Sequence, residues 1–191
     1  MKRAVILHGK GSTHSDNWYS WLKAELEKVG WQVWVPDLPT TDQPNADRNN
    51  KFLLNQGWDW QDNLVIGHSA GSVTILPLLQ ALPENTKINT AILVGSFTKK
   101  LAEDPDWSAL MGLFEKPFEY ELIKTKAKQF IFIHSDDDPV CPIEQAKELH
   151  QKVGGEFIMI PNSQHFSISR SGMRFKKFPE ILPIINQYVK Q

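Results

Sequence analysis

Six short runs of the chain are nearly continuous in apolar and β-branched residues: Ala4 to Leu7, Gln32 to Val35, Leu64 to Ile66, Ala91 to Val94, Phe130 to Ile133 and Phe157 to Ile160. A strand with one wet face alternates apolar and polar positions, whereas unbroken runs of this length read as strands covered on both faces. The pattern predicts a parallel sheet. Between the runs the apolar period lengthens to three or four. From Asn17 to Val29, the positions Trp18, Trp21, Leu22, Leu26 and Val29 share one helical face, Lys23, Glu25, Glu27 and Lys28 fill the other, and Gly30 ends the helix. The stretch Pro142 to Val153 repeats this scheme, with proline in the first turn and Gly154 at the end, and Val73 to Leu82 is apolar enough to be a buried helix. A last helical run, Pro179 to Val189, is expected to cover one sheet face, with Pro183 tolerated only in the first turn. Strand and helix alternate, which predicts a doubly wound α/β sheet with right-handed crossovers.

Two connections are longer than the rest. Residues Pro36 to Asn50 are rich in proline, asparagine and aspartate and read as a loop, while Phe97 to Lys128 carries aromatic residues and short helical patterns. Long connections in α/β folds often wall a ligand site, so 97–128 is the candidate for a small lid or pocket wall. Neither internal repeats nor low-complexity segments interrupt the pattern. At 191 residues, one domain over 1–191 is expected.

Composition narrows the class. With 41% hydrophobic residues, 23% charged residues and a formal net charge of −1, the chain lacks the cationic excess that nucleic acid or an anionic membrane surface would demand. Its one cysteine, Cys141, excludes an internal disulfide and a thiolate zinc cluster. The opening MKRAVILHGKG has too short an apolar core for a secretory signal or a membrane span, so a cytoplasmic protein is expected.

The sharpest chemical signal is Gly67-His68-Ser69-Ala70-Gly71, placed directly after one apolar run and before another. In a strand, sharp turn and helix context, G-x-S-x-G forms a nucleophile elbow: the serine occupies a strained turn, and the glycines let backbones approach closely. A helix N-terminus behind the serine favours developing negative charge. The competing reading is a small residue in a tight turn.

A serine hydroxyl needs a base. Of the six histidines, His68 lies inside the elbow, where packing is its simplest role. His150 sits on a charged helix and reads as solvated, and His134 ends a strand and reads as structural. His8 and His14 belong to the first loop, where they are candidate substrate contacts together with Gly9; His68 is carried in the same group. His165, in IPNSQHFSIS after the last strand, is the candidate base, since hydrolases of this architecture order their triad Ser, acid, His. The run HSDDDPVCP offers Asp136, Asp137 and Asp138 as the acid, and residue chemistry does not choose among them; a solvated acidic turn accounts for at least two. For the oxyanion, the backbone N–H of Ala70 and that of Lys10 in LHGKGS are the candidate donors. A phosphate-loop reading of LHGKGS fails because GxxxxGK[ST] is absent. Cys141, flanked by Val140 and Pro142, reads as a small buried residue. Trp18, Trp21, Trp31 and Trp34 read as packing, while Trp58, Trp60 and Trp107 are candidates to line a pocket.

With HGKG and the following tryptophan helix, PDLPTTDQP, GHSAG, FEKPFEYELIK, HSDDDPVCP and QHF, the chain resembles the small α/β-hydrolases of the YdeN and retinoblastoma-binding-protein serine hydrolase family over nearly its whole length. The resemblance implies a minimal α/β-hydrolase, a six-stranded parallel sheet of order 2-1-3-4-5-6 with helices on both faces. It implies Ser69 as nucleophile, His165 as base and, as the aspartate immediately before proline, Asp138 as acid. It implies hydrolysis of small carboxylic esters or amides without metal or organic cofactor, most simply by a carboxylesterase. Some members of the family are discussed as partners of other proteins, so a binding module that keeps the hydrolase fold is the alternative from another class. Acyl transfer or haloperoxidase-like chemistry on the same residues would differ only in the attacking acceptor.

Overall fold

In the computed structural model, which describes residues 1–99 and 107–188, the apolar runs become β1 (Arg3–Leu7), β2 (Gln32–Trp34), β3 (Leu64–His68), β4 (Ile88–Val94), β5 (Ala127–His134) and β6 (Glu156–Met159). They pair in the order β2-β1-β3-β4-β5-β6, and every neighbouring pair is parallel. The helices are α1 (Tyr19–Lys28), α2 (Ala46–Leu54), α3 (Ala70–Ala81), α4 (Trp107–Leu110), α5 (Tyr120–Thr125), α6 (Ile143–Val153), α7 (Ile168–Ser171) and α8 (Ile181–Tyr188).

The sheet has two cores, which is why its strands do not alternate in polarity. Val5, Leu7, Val65, Leu93 and Phe132 face one side, against Ile75 and Leu79 of α3 and Leu149 and Val153 of α6. Ala4, Ile6, Ile66, Ile92, Ile131 and Ile133 face the other, against Trp18, Leu22 of α1, and Ile181 and Ile185 of α8. Residues of opposite parity on one strand thus enter opposite cores, and both are apolar. Pro183 is the third residue of α8, where its missing N–H breaks no intrahelical bond.

Several expectations need correction. The stretch 36–50 is a loop only to Asn45, whose side chain accepts the Arg48 N–H at 3.0 Å and caps α2. Its asparagine and aspartate content is a helix start as much as a loop signal, since a capping oxygen satisfies an orphan N–H and Asp47 suits the positive end. The segment 97–128 runs into β5 from Ala127, and residues 100–106 of the candidate lid lie outside the described residues. His150 is not simply solvated: its Nε2 lies 3.0 Å from the Gly155 carbonyl and its ring packs edge-on against Phe132 and Phe157. Trp58 and Trp60, candidates to line a pocket, belong to an aromatic group on one sheet face. They pack on Trp34 with centroids 5.5 and 6.2 Å away, and Trp58 Nε1 donates to Asn63 Oδ1.

Because all strands are parallel, their carboxyl ends share one edge. The segments that leave β1, β3, β4, β5 and β6 there carry Gly9, Ser69, Gly95, Asp138 and His165 respectively.

Candidate active site

Ser69 is the single residue between β3 and α3, at φ 54° and ψ −122°. An L-residue in this region costs about 1–3 kcal/mol and persists only where its surroundings dictate it. Here they do. A methyl group on Gly67 would come within 2.5 Å of the Gly71 carbonyl oxygen, and one on Gly71 would overlap the Leu7 carbonyl. The two glycines let β3, α3 and β1 close together, and the turn between them has no slack. The Ser69 N–H donates to the Val94 carbonyl at 2.9 Å, tying the elbow to the end of β4. Ala70 opens α3, so its N–H lacks an intrahelical acceptor.

His165 and Asp138 meet at the same edge. The imidazole Nδ1 lies 2.9 Å from Asp138 Oδ2, with both side chains buried. A carboxylate only accepts, so Nδ1 carries the proton and Nε2 keeps the lone pair. Asp138 Oδ1 accepts the N–H groups of Val140 and Cys141 at 2.8 and 3.0 Å. Burial pushes the Asp138 carboxyl up, but the His165 bond and charge and these two N–H groups outweigh it and hold it below the usual carboxylate range. Gly95, at φ +58°, forms the floor: a methyl there would sit 3.3 Å from His165 Cε1 and 3.5 Å from Asp138 Oδ2.

The other two aspartates are not merely solvated. Asp136 Oδ1 accepts the Asn162 N–H at 3.0 Å, and Asp137 Oδ1 accepts the Gln164 N–H at 2.7 Å and the Ser135 hydroxyl at 2.6 Å. Ser135 Oγ in turn accepts the Ser163 N–H at 2.9 Å. The Ser135 hydroxyl and the Gln164 N–H keep the Asp137 carboxyl below its ordinary value. Residues 135–138 therefore grip 162–165 one after another. From the opposite side, Asn17 Oδ1 accepts the Ile168 N–H at 2.8 Å and Trp18 Nε1 donates to the Phe166 carbonyl at 3.0 Å. The loop so held contains three non-glycine residues at positive φ, Asn162, Gln164 and Phe166. No motif in the sequence singles out Ser135, Asn17 or Gly95, and Asp137 is there only one of three candidate acids, although a glycine directly after β4 is a usable signal.

The candidate substrate contacts divide. His68 is buried, and both ring nitrogens are engaged, Nδ1 by the Tyr19 hydroxyl at 2.6 Å and Nε2 by the His165 carbonyl at 2.8 Å. His8 is buried as well. Its Nε2 accepts the Leu38 N–H at 2.9 Å, so Nδ1 donates to the Gly9 carbonyl at 2.9 Å. Both ring nitrogens of each imidazole are thus engaged within the protein, and His8 lines a small cavity with Gly9, Lys10 and Ala70. His14 is exposed and pairs with Asp37, Nδ1 to Oδ2 at 2.8 Å. Gly9 lies against the elbow, where an added methyl would be 3.3 Å from Ser69 Cβ. Cys141 is fully buried and brings its Sγ within 4.8 Å of the donor atoms of Asp138 and His165. A cation there would have to displace the proton on His165 Nδ1, so this donor set fits the hydrogen-bonded pair better than a metal.

The two long connections meet. A cavity of about 440 Å³ lies between Gln43, Pro44 and Arg48 of the first and Ser108, Met111 and Glu115 of the second. Beside the elbow, Ala70 and Val73 pack with Phe97, Leu110 and Cys141, and Trp107 and Phe114 lean on this apolar group.

A parallel sheet of this order, turning through a strained serine into a helix and carrying a paired histidine and aspartate at one edge, defines an α/β-hydrolase fold. Residues 4–187 match the family model described as "Serine hydrolase", and the chain belongs to that family. It is 27% identical over 188 residues to YdeN of Bacillus subtilis (strain 168), covering 98% of this chain and 96% of that one. It is 25% identical over 169 residues to the serine hydrolase RBBP9 of Rattus norvegicus, covering 86% and 87% of the two chains. The crystal structure of the ydeN gene product from B. subtilis superposes with a TM-score of 0.90 at 24% identity over all of both chains. Est1E from Butyrivibrio proteoclasticus with bound ferulic acid shares the fold at a TM-score of 0.73 and 12% identity, covering 100% of this chain and 90% of that one. Among the described residues no helix is long and apolar enough to cross a membrane.

Proposed function

We propose that the protein is a carboxylesterase-type serine hydrolase that cleaves small carboxylic esters, or amides, through an acyl-enzyme on Ser69. The observation that carries this reading is the buried 2.9 Å bond from His165 Nδ1 to Asp138 Oδ2, at the same sheet edge as the strained Ser69, which leaves Nε2 as the nitrogen free to take a proton. In the reaction, His165 Nε2 takes the proton of the Ser69 hydroxyl as Oγ bonds to the substrate carbonyl carbon. The N–H groups of Ala70 and Lys10 hold the oxyanion. Collapse breaks the carbon to leaving-group bond, and His165 returns the proton to the departing alcohol or amine. Water then repeats the sequence, giving up its proton to His165 and releasing the acid. Asp138 orients His165 and stabilises its cation without taking the proton.

The aromatic wall of Phe97, Trp107 and Phe114 beside Ala70 suits a substrate with an apolar moiety. One cysteine in 191 residues agrees with a reducing, cytoplasmic setting. The test is incubation of the folded protein with a fluorophosphonate probe, with the adduct located by mass spectrometry. Label on Ser69, and ester turnover that falls about 10³-fold or more in Ser69→Ala and His165→Ala, is the expected result. Folded wild-type protein that neither labels at Ser69 nor cleaves esters is instead a binding module on a hydrolase fold. Asp137→Asn inactive beside a fully active Asp138→Asn would move the acid by one residue.

A further inference from the structure

We infer that Tyr19 and His68 are positioning residues, a buried hydrogen-bond relay that locks the loop carrying the oxyanion donor to the backbone of the base. The inference deepens the hydrolase reading and rests on it. The Gly9 N–H lies 3.3 Å from the Tyr19 hydroxyl oxygen, that hydroxyl 2.6 Å from His68 Nδ1, and His68 Nε2 2.8 Å from the His165 carbonyl oxygen.

The direction of every bond follows from the chemistry of the ends. A carbonyl oxygen has no proton, so His68 Nε2 must donate to His165. A neutral imidazole protonated there presents only a lone pair at Nδ1, so Tyr19 must donate to it. The tyrosine oxygen is then left as acceptor, and it is met by the Gly9 N–H and by Asn17 Nδ2 at 3.2 Å. All donors point one way along the chain, the arrangement in which hydrogen bonds polarise one another. Burial pushes His68 down to about 3 and Tyr19 up to about 12, so both stay neutral as the relay requires.

The relay acts at both ends of the site. At the oxyanion end, Tyr19 holds the Gly9 N–H while His8 Nδ1 holds the Gly9 carbonyl at 2.9 Å. The next peptide N–H is that of Lys10, and in a planar trans peptide it points opposite to the pinned carbonyl. At the other end, His68 anchors the carbonyl of His165 between two residues at positive φ, Gln164 and Phe166. Tyr19 and His68 are buried with their polar atoms taken up by the relay, which makes them positioning residues.

Tyr19→Phe removes one hydroxyl and keeps the ring that packs 4.9 Å from Trp18. With 4-nitrophenyl acetate as probe substrate, kcat is expected to fall about tenfold or more with KM changed less than about twofold, because geometry rather than binding is lost. His68→Gln, which can keep the donor to His165, is expected to retain more kcat than His68→Ala. The double variant Tyr19→Phe, His68→Ala is expected to be no slower than His68→Ala, since one chain is broken only once. A fall in melting temperature with kcat kept within about twofold, or losses that multiply, would overturn the relay. A readout without catalysis separates it from the hydrolase reading and from variants that do not fold. In nitrogen-15 histidine-labelled wild type, His68 is expected to be protonated on Nε2 and bare on Nδ1 across about pH 5 to 8. The opposite tautomer, or titration in that range, overturns the relay even if Ser69 labels normally.

Discussion

The elbow at 67–71 and the base loop at 162–168 both hold L-residues at positive φ, yet they are held by different physics. At the elbow, backbone packs on backbone: Gly67 meets Gly71, and Gly71 meets the Leu7 carbonyl, with no room for a methyl group. The base loop is pinned by polar side chains from afar, Ser135, Asp136, Asp137 and Asp138 on one side and Asn17 and Trp18 on the other. A steric constraint fails all at once, whereas a set of hydrogen bonds loosens one bond at a time. Each placement suits its residue. In the proposed reaction the nucleophile must stay put while the base exchanges protons twice.

The largest expected effect breaks the elbow. Gly71→Ala should destabilise the protein by about 3 kcal/mol or more, read from urea denaturation, because backbone atoms on both sides must move. A near-neutral result would mean that the close approach of α3 and β1 is not needed. Gly95→Ala comes next. It probes the base without touching its pins: the added methyl meets His165 Cε1 at 3.3 Å in a left-handed residue, so ester turnover should fall about 10²-fold as the ring shifts. Activity within about twofold would show that His165 has slack. Asp137→Ala, which frees the Gln164 N–H and the Ser135 hydroxyl, should cost about tenfold in kcat while the elbow still labels with fluorophosphonate at a measurable rate. Asp136→Ala, which frees only the Asn162 N–H, should cost less than Asp137→Ala, and the reverse order would misplace the critical pin.

The effect of pH is graded and needs no substitution. Burial lowers the pKa of His8, His134 and His68, the last to about 3. The unfolded chain therefore binds more protons than the folded one below an unfolded histidine value of about 6.5. Stability is complete above that pH and declines on acidification, for His68 toward about 3. Asp138, also lowered, adds a loss in the same direction at still lower pH, as its carboxylate is protonated. Urea midpoints measured from about pH 8 down to about pH 4 should fall monotonically, and a flat profile would show that these imidazoles charge freely in the fold.

Much of the fold was legible because it is locally written. Unbroken apolar runs such as Val5 to Leu7 and Ile131 to Ile133 announce strands buried on both faces, and the six runs did pair in one parallel sheet. Less is legible where one residue type serves two ends. Asn45 and Asp47 look like loop residues because a helix cap and a turn use the same short polar side chains. The three aspartates could not be told apart because they are chemically identical. What distinguishes them is which N–H or imidazole of a strand-distant loop each one faces.

By itself, then, the sequence determined the strands, the elbow with its two glycines, and the serine, aspartate and histidine available for chemistry, since these rest on periodicity and on contacts between near neighbours. Only the tertiary structure decided that His68 is buried in a bond with the His165 carbonyl, that Tyr19 reaches Gly9, and that residues 135–138 clasp 162–165. His68 and His165 are 97 residues apart, and Trp18 and Phe166, which pin the same loop, are 148 apart. A hydrogen bond depends on direction and distance in space, and neither is visible along the chain until the sheet brings its ends to one edge.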